Sequence, residues 1–278
     1  MAEALAFTRR RIERIAEDAL RAAGVLGVVP TPLDAVARAA GVRAVASMPE
    51  LPRAVRRTDR RLLGALWFEE RTLFLDDAQS PVRRRFTEAH ELVHALCPWH
   101  EAVLREDTED ELFRDTRAAL ELEANAGAGM LIFQRADFAA HSAAGPCSLR
   151  TGLALAARYG ASRHAALHHY VATHPAALAL LVAGRFPRRD GGLPVWRGVE
   201  SAAFAARFGP AAARVVHGLE PGSGLRELAE AARTTSEPPT ATVALGGAVF
   251  RAEAWDNRHA VLLALAPAAV HRPARSAA

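Results

Sequence analysis

Apolar positions recur with a helical period in some stretches and form short runs in others, which predicts a mixed α+β fold. In the first third of the chain, polar and turn residues separate the periodic stretches. Segment Glu69-Glu70-Arg71 lies between two apolar runs and predicts a β-hairpin. The elements predicted here are helices over 6–23 and 33–39, a strand over 42–46, and a hairpin of 62–68 with 72–75. The hairpin is expected to offer an edge strand that pairs with an extended peptide.

A longer helix is predicted between Ser80-Pro81 and Pro98. Serine as N-cap and proline at the first helical position are typical of a helix start, and the second proline ends the helix. The apolar stripe that this helix should bury includes His90, and both His90 and His94 are therefore expected to face the interior. Its members are Val82, Phe86, Ala89, His90, Val93 and Cys97.

The segment His90-Glu91-Leu92-Val93-His94 has the pattern H-E-x-x-H. Helical positions i and i+4 lie one turn apart on one face, so both imidazoles can bind one ion. Glu91 lies about 100° around the helix from His90, beside such an ion rather than on it. A carboxylate there can take a proton from a zinc-bound water, so Glu91 is predicted as the general base. The alternative is a buried helix whose histidines are satisfied by hydrogen bonds.

A third ligand is expected from the next predicted helix, whose start is marked by the capping box of Thr108 and Glu111. Glu121 and Asn125 are four residues apart and share a face, whereas Glu123 lies about 200° from Glu121. Glu121 is therefore predicted as the ligand, because Asn125 beside it can hold a ligand histidine by a hydrogen bond. The alternative is a solvated pair of glutamates.

Small residues follow in the same helix: Ala124, Gly127, Ala128 and Gly129. Glycine inside a helix costs about 1 kcal/mol relative to alanine. The two glycines therefore predict a close approach to another element.

Two residues after the H-E-x-x-H segment have more than one interpretation. Cys97 is predicted to be a small buried apolar residue, with a thiol ligand or redox switch as the alternatives. His100, which follows Trp99, is expected in a solvated loop, with a proton relay as the alternative.

The run from Phe86 to His94, followed by Glu121-Leu122-Glu123-Ala124-Asn125, resembles the ImmA/IrrE family of zinc metallopeptidases over about residues 80–135. The resemblance implies a gluzincin-like fold, with His90, His94 and Glu121 as zinc ligands and Glu91 as the base. The small-residue helix of that family usually ends in Met-Pro. Here it runs into Ile132-Phe133-Gln134, which is expected to loosen the end of the helix. The best-known members are radiation-response regulators that cleave a helix-turn-helix repressor, and phage-type anti-repressors.

Residues 146–174 are predicted as a separate helix-turn-helix-like segment, in which two short helices meet at Gly160. ImmA/IrrE regulators are similar in carrying such a segment after the peptidase. One interpretation places Arg163, His164 and His168 in a DNA major groove. The favoured one is a helical hairpin packed on the peptidase, with both histidines on an exposed face, because the segment has few basic residues.

The remaining residues, 175–278, are predicted as a C-terminal α+β domain that follows a peptidase domain over 1–145. Its position resembles that of the GAF-like sensor domain ending some IrrE-type regulators, with an unidentified signal or small molecule as ligand. The alternative is a docking or structural domain. The predicted elements are a strand over 176–186, helices over 202–208, 211–216 and 225–232, a meander of 241–245, 249–255 and 260–266, and a disordered tail from Pro273.

Composition adds little to these predictions. The chain has 278 residues, half of them hydrophobic, and its 35 basic residues are all arginine. A net charge of +4 permits a nucleic-acid partner without requiring one. Two cysteines form no disulfide framework, and the absence of a leader pattern or long apolar run predicts a cytoplasmic protein that does not bind membranes.

These observations predict a cytoplasmic zinc-dependent endopeptidase, although Mn²⁺ or Fe²⁺ could occupy the same ligands. The resemblance implies a helix-turn-helix (XRE-type) repressor as substrate, whose cleavage relieves repression in a stress response or an anti-repressor role. Two alternatives remain: a DNA-binding transcription regulator with a structural metal site, and a non-catalytic protein that sequesters a repressor.

Overall fold

The computed structural model describes residues 2–52, 62–105, 111–215 and 217–268, and the chain divides into two units. The first unit comprises Met1–Phe138 and Ala157–Ser162, and the second comprises Ala139–Ala156 and Arg163–Ala278. Each unit contains one sheet. The predicted segment 146–174 is thus divided between them. Thr108 and the tail from Pro273 lie outside the described residues.

The first unit combines helices with a small mixed sheet, in agreement with the predicted α+β fold. Strand β3 is central, pairing in parallel with β1 and antiparallel with β2, so β2 is an edge strand of the predicted hairpin. A 3₁₀ turn at Met48–Glu50 follows β1. The elements are α1 (Ala2–Ala22), α2 (Leu33–Ala39), β1 (Ala44–Ser47), β2 (Gly64–Trp67), β3 (Thr72–Leu75), α3 (Pro81–Leu96), α4 (Pro98–Arg105), α5 (Glu111–Phe133) and α6 (Arg135–Ala143), which continues into the second unit from Ala139.

Helix α3 begins and ends where the prolines predict. Ser80 is its N-cap, and the backbone carbonyl of Ser80 accepts hydrogen bonds from the amides of Arg83 and Arg84. Most of the predicted stripe is turned inward, but Val82, near the first turn, is 39% exposed. Pro98 has a second role that the sequence analysis missed: it is the first residue of α4, so the segment around His100 is helical rather than a loop.

The end of α5 is anchored rather than loosened. Gln134 follows the helix with φ of +46° and is buried. Its side-chain oxygen accepts a hydrogen bond from the amide of Gly27 at 2.6 Å, and its nitrogen donates to the carbonyl of Val28 and the hydroxyl of Thr31, both at 2.9 Å. In place of the Met-Pro that is usual in the family, the Gln134 side chain connects the end of α5 to the loop before α2. The expectation of a loose helix end is therefore wrong.

The second unit is built on a five-stranded antiparallel sheet of order β5-β4-β8-β7-β6. The predicted meander is confirmed as β6, β7 and β8, whereas β5 was not predicted. A 3₁₀ turn at Ala212–Val215 follows α9. The elements are α7 (Leu149–Tyr159), whose residues from Ala157 belong to the first unit, α8 (Arg163–Thr173), β4 (Ala179–Gly184), β5 (Val195–Glu200), α9 (Ala202–Phe208), α10 (Gly224–Ala231), β6 (Thr240–Leu245), β7 (Ala248–Asp256) and β8 (Ala260–Pro267).

Helix α8 packs on β4 and β5 of this sheet. His164 and His168 are half-buried, and burial lowers the pKa of both, helped by the positive charge of Arg197 on β5. The expected exposed face for these two histidines is therefore wrong, since the sheet of their own unit covers part of it. Among the described helices, none is both long and apolar enough to cross a membrane.

Candidate metal centre

Three side chains from α3 and α5 converge at one point. Nε2 of His90 lies 3.2 Å from Nε2 of His94 and 3.1 Å from Oε2 of Glu121, and Nε2 of His94 lies 3.7 Å from Oε1 of Glu121. The structure thus brings together the three residues that are predicted from the sequence as ligands. His94 is almost completely buried, whereas the Glu121 side chain is 54% exposed, so the cluster opens to solvent on the α5 side.

The spacing of these atoms fits a metal ion of the predicted kind. Zinc is bound by nitrogen and oxygen at about 2.0–2.2 Å in tetrahedral geometry, which separates neighbouring ligand atoms by about 3.3 Å. The separation of 3.2 Å between the two Nε2 atoms is close to that value, and Glu121 faces His90 through Oε2 and His94 through Oε1. With one ligand atom taken from each residue, the three atoms lie within 4.8 Å of one another. Two imidazoles and one carboxylate also form the donor set of catalytic zinc sites, in which a fourth position is left for water or substrate.

Close packing of α5 on α3 brings Glu121 to the histidines. A Cβ atom built on Gly127 would lie 2.7 Å from Cγ2 of Val93 and 3.1 Å from Cγ2 of Ile12 on α1. Gly127 therefore allows the helices to approach more closely than any side chain would permit. Gly129, two residues later, has no such neighbour within 4 Å, so only one of the two predicted close approaches is present.

Asn125 lies where the sequence analysis placed it, beside a ligand. Its side-chain oxygen is 3.2 Å from Nδ1 of His90. An amide oxygen can only accept, so Nδ1 of His90 carries a proton and, in the neutral ring, the lone pair lies on Nε2, the atom that faces Glu121 and His94. This is the tautomer that a metal ligand bound through Nε2 requires.

The carboxylate of Glu91 packs against the edge strand β2. A Cβ atom built on Gly64 would lie 2.8 Å from Oε1 of Glu91 and 2.5 Å from Cγ2 of Thr87. Gln79 holds this strand in place, since it donates to the carbonyl of Leu63 at 2.8 Å and accepts from the hydroxyl of Thr87 at 2.8 Å. Burial raises the pKa of Glu91 to about 7, so near neutral pH this carboxyl group can both accept and return a proton.

Protonation of the other groups follows from burial and their neighbours. Burial lowers the pKa of His94 to about 3, and the charges of His90 and His100 act in the same direction. Burial also lowers the pKa of His90, but the hydrogen bond to Glu121 and the charge of Glu91 outweigh it and raise the pKa overall. The hydrogen bond to His90 lowers the pKa of Glu121. His94 is therefore neutral, as a metal ligand must be, and a cation would compete with a proton at His90.

Sequence reasoning missed three residues behind the site. His100 on α4 is completely buried, with Nδ1 2.8 Å from Nδ1 of His94 and Nε2 3.0 Å from Oε2 of Glu123. Trp99 donates from Nε1 to the same oxygen of Glu123 at 2.9 Å. His100 is therefore not in a solvated loop, and Glu123 is not part of a solvated pair. The signal that could have revealed them is Pro98, whose position favours a new helix.

Cys97 lies next to this region and is completely buried, which confirms the prediction of a small buried residue. Burial raises the pKa of its thiol to about 12, with the charge of Glu123 acting in the same direction. The thiol form that this pKa favours is unsuited to a metal ligand or a reactive cysteine, because both need the thiolate.

An H-E-x-x-H helix packed against a second helix that supplies a carboxylate defines a metallopeptidase-type fold. Residues 37–170 match the peptidase family model described as the IrrE N-terminal-like domain. This segment is thus an IrrE N-terminal-like domain, and the predicted family is confirmed for it.

The comparison with solved structures supports the fold. A solved Mycobacterium tuberculosis transcriptional regulator is similar, with a TM-score of 0.57 and 16% identity, over 92% of this chain and 75% of that one. At that identity the likeness concerns the fold alone. A comparison with curated proteins finds no match.

Proposed function

We propose that this chain is a zinc-dependent endopeptidase, in which His90, His94 and Glu121 hold the ion and Glu91 is the general base. The observation that carries the proposal is the convergence of three ligand atoms, all within 4.8 Å of one another, two of them from the helix that also bears Glu91 and the third from α5. Mn²⁺ or Fe²⁺ would suit the same side chains.

The role of each residue in the proposed reaction follows from its position. A divalent ion bound here supplies Lewis acidity, which makes water a better nucleophile and polarises a peptide carbonyl. Glu91 takes the proton from the attacking water and returns it to the departing amine, for which a carboxyl group with a pKa near neutral is suited. His90 and His94 remain neutral throughout, with Asn125 holding the ring of His90.

We propose that an extended peptide is bound along β2. Among the described strands, β2 is an edge of the mixed sheet, and Gly64 brings its backbone against Glu91. An unpaired strand edge can hydrogen-bond an extended peptide by strand addition, which would carry the scissile bond past the base. The proposed substrate is a helix-turn-helix (XRE-type) repressor, on the strength of the family resemblance, and cleavage would relieve repression.

Incubation with the repressor encoded beside this gene tests the proposal. Cleavage should stop when a chelator removes the metal and return when zinc is added. The Glu91→Gln protein should bind zinc as the wild type does but lose cleavage by about 10²–10⁴-fold, the contribution typical of general-base catalysis.

Two outcomes would overturn the hydrolytic assignment. Cleavage retained by Glu91→Gln would exclude Glu91 as the base. Loss of repression that persists in Glu91→Gln, with the repressor intact, would favour a protein that acts by sequestering its partner.

A further inference from the structure

We propose that His100 and Glu123 position His94 as a metal ligand, through a buried hydrogen-bond chain that runs from Trp99 to the proposed zinc site. The chain comprises three contacts. Trp99 Nε1 meets Glu123 Oε2 at 2.9 Å, Glu123 Oε2 meets His100 Nε2 at 3.0 Å, and His100 Nδ1 meets His94 Nδ1 at 2.8 Å. The inference rests on the metal site of the proposed function but not on hydrolysis.

With a neutral His100 ring, the chemistry of the groups fixes the direction of every hydrogen bond in this chain. An indole N–H can only donate and an ionised carboxylate can only accept, so Trp99 donates to Glu123. His100 then donates from Nε2 to the same oxygen, which leaves its Nδ1 as an acceptor if the ring is neutral. That acceptor faces Nδ1 of His94, which must therefore carry a proton. The lone pair of His94 is left on Nε2, the atom that faces His90 and Glu121.

Burial makes this arrangement hard to replace. His100 is completely buried, and the Glu123 side chain is only 17% exposed. Water therefore has little access to substitute for either partner, and an unpaired buried nitrogen or carboxylate is costly. A buried hydrogen-bond chain is also stiffer and electrostatically stronger than one in water.

The two glutamates of α5 thus act from opposite sides of the cluster. Glu121 approaches His94 directly at Nε2, whereas Glu123, on another face of the helix, reaches Nδ1 by way of His100. Ligand histidines commonly donate their second N–H to a carboxylate, which orients the ring and makes it a stronger ligand. Here an imidazole is inserted between the ligand and its carboxylate.

Zinc affinity of the full chain, measured by competition with a chelating dye, tests the proposal. His100→Phe keeps a ring in the buried space but removes the acceptor for His94. Glu123→Gln keeps the shape and an accepting oxygen but removes the charge. We expect zinc to bind about 10–100-fold more weakly in His100→Phe, the range typical of such outer partners. Glu123→Gln should weaken it less, and Leu122→Ala, at an exposed position between the two glutamates, should leave it unchanged.

A spectroscopic readout separates positioning from a general loss of structure. Nitrogen NMR of the histidine rings should show the proton of His94 on Nδ1 in the wild type with and without zinc, and a mixture of tautomers in metal-free His100→Phe. If His100→Phe does not fold, Glu123→Gln carries the test, with a weaker zinc affinity and a shifted His94 Nδ1 signal as the expected result.

Unchanged affinity and an unchanged His94 signal in the folded variants, with normal zinc binding by the wild type, would overturn this inference alone. Failure of the wild type to bind zinc would overturn the proposed metal site together with it. Zinc binding without cleavage would count against the proposed hydrolysis and leave the positioning result valid.

Discussion

Gly64 places the backbone of the edge strand β2 directly against the proposed base. A methyl group there would meet both Glu91 and Thr87 at distances that real side chains do not tolerate, so β2 or the Glu91 carboxylate must move. Displacements of about 1 Å near reacting groups can reduce rates by about 10²-fold. We therefore predict that Gly64→Ala lowers kcat/KM for repressor cleavage by about 10–100-fold while zinc affinity stays within twofold.

The matched control is Gly129→Ala, the same substitution at a position with no neighbour within 4 Å. It should leave kcat/KM unchanged. An equal loss of activity in both variants, or a loss of zinc binding in Gly64→Ala, would show that the contact with Glu91 is not the cause.

At the scale of single residues, the sequence predicted the contacts that depend on local spacing. His90, Glu91 and His94 lie within one turn and a half of one helix, so their relation follows from helical geometry alone. The approach of Glu121 was inferred from its face and from the family resemblance. His100 and Glu123 were missed because their contact depends on the direction in which α4 leaves Pro98, which local pattern does not specify.

The packing of α5 on α3 makes a prediction at the scale of elements. Gly127 and Gly129 carry the same intrinsic helix penalty, yet only Gly127 has Val93 and Ile12 within van der Waals range of a built Cβ. Gly129→Ala should raise the free energy of unfolding by up to about 1 kcal/mol, the gain in helix propensity. Gly127→Ala makes the same gain but adds the usual cost of overpacking a core, so its free energy of unfolding should be about 1–3 kcal/mol lower than that of Gly129→Ala.

Urea unfolding of the metal-free proteins measures both changes. Because Gly127 also sets how closely Glu121 approaches the histidines, Gly127→Ala should weaken zinc binding as well, whereas Gly129→Ala should not. If both variants gained stability, α3 and α5 would have space for a methyl group at Gly127. The close approach of the two helices would then not determine the position of Glu121.

Elements with a strong periodic or alternating pattern were predicted near their observed bounds, among them α3, the hairpin and the β6–β8 meander. Two were missed for different reasons. Helix α4 is short and follows directly on α3, so the helix-ending signal of Pro98 concealed its role as a helix start. Strand β5 is an edge strand that contains Gly198 and the exposed Trp196 and Arg197. Its backbone hydrogen bonds to β4 do not require an alternating apolar pattern, so the sequence did not indicate it.

At the scale of the whole molecule, every residue of the proposed metal site belongs to the first unit, as do Trp99, Glu123 and His100 of the hydrogen-bond chain behind it. The second unit has its own core, in which Phe204 and Leu228 from helices meet Phe250 and Leu263 from strands. A ligand that binds only residues of the first unit should stabilise that unit.

Zinc binding should therefore protect one unit selectively against hydrogen exchange. A ligand at 100 times its dissociation constant stabilises the state that binds it by about 2.7 kcal/mol, provided that the unfolded chain does not bind it. We predict that adding zinc to the chelated protein slows amide exchange in α3, α4 and α5 and leaves β4 to β8 unchanged within error. His94→Ala, which removes a ligand, should abolish the protection. Equal protection of the five-stranded sheet would mean that the ion binds elsewhere or that the units unfold together, and no protection of α3 would contradict a site on that helix.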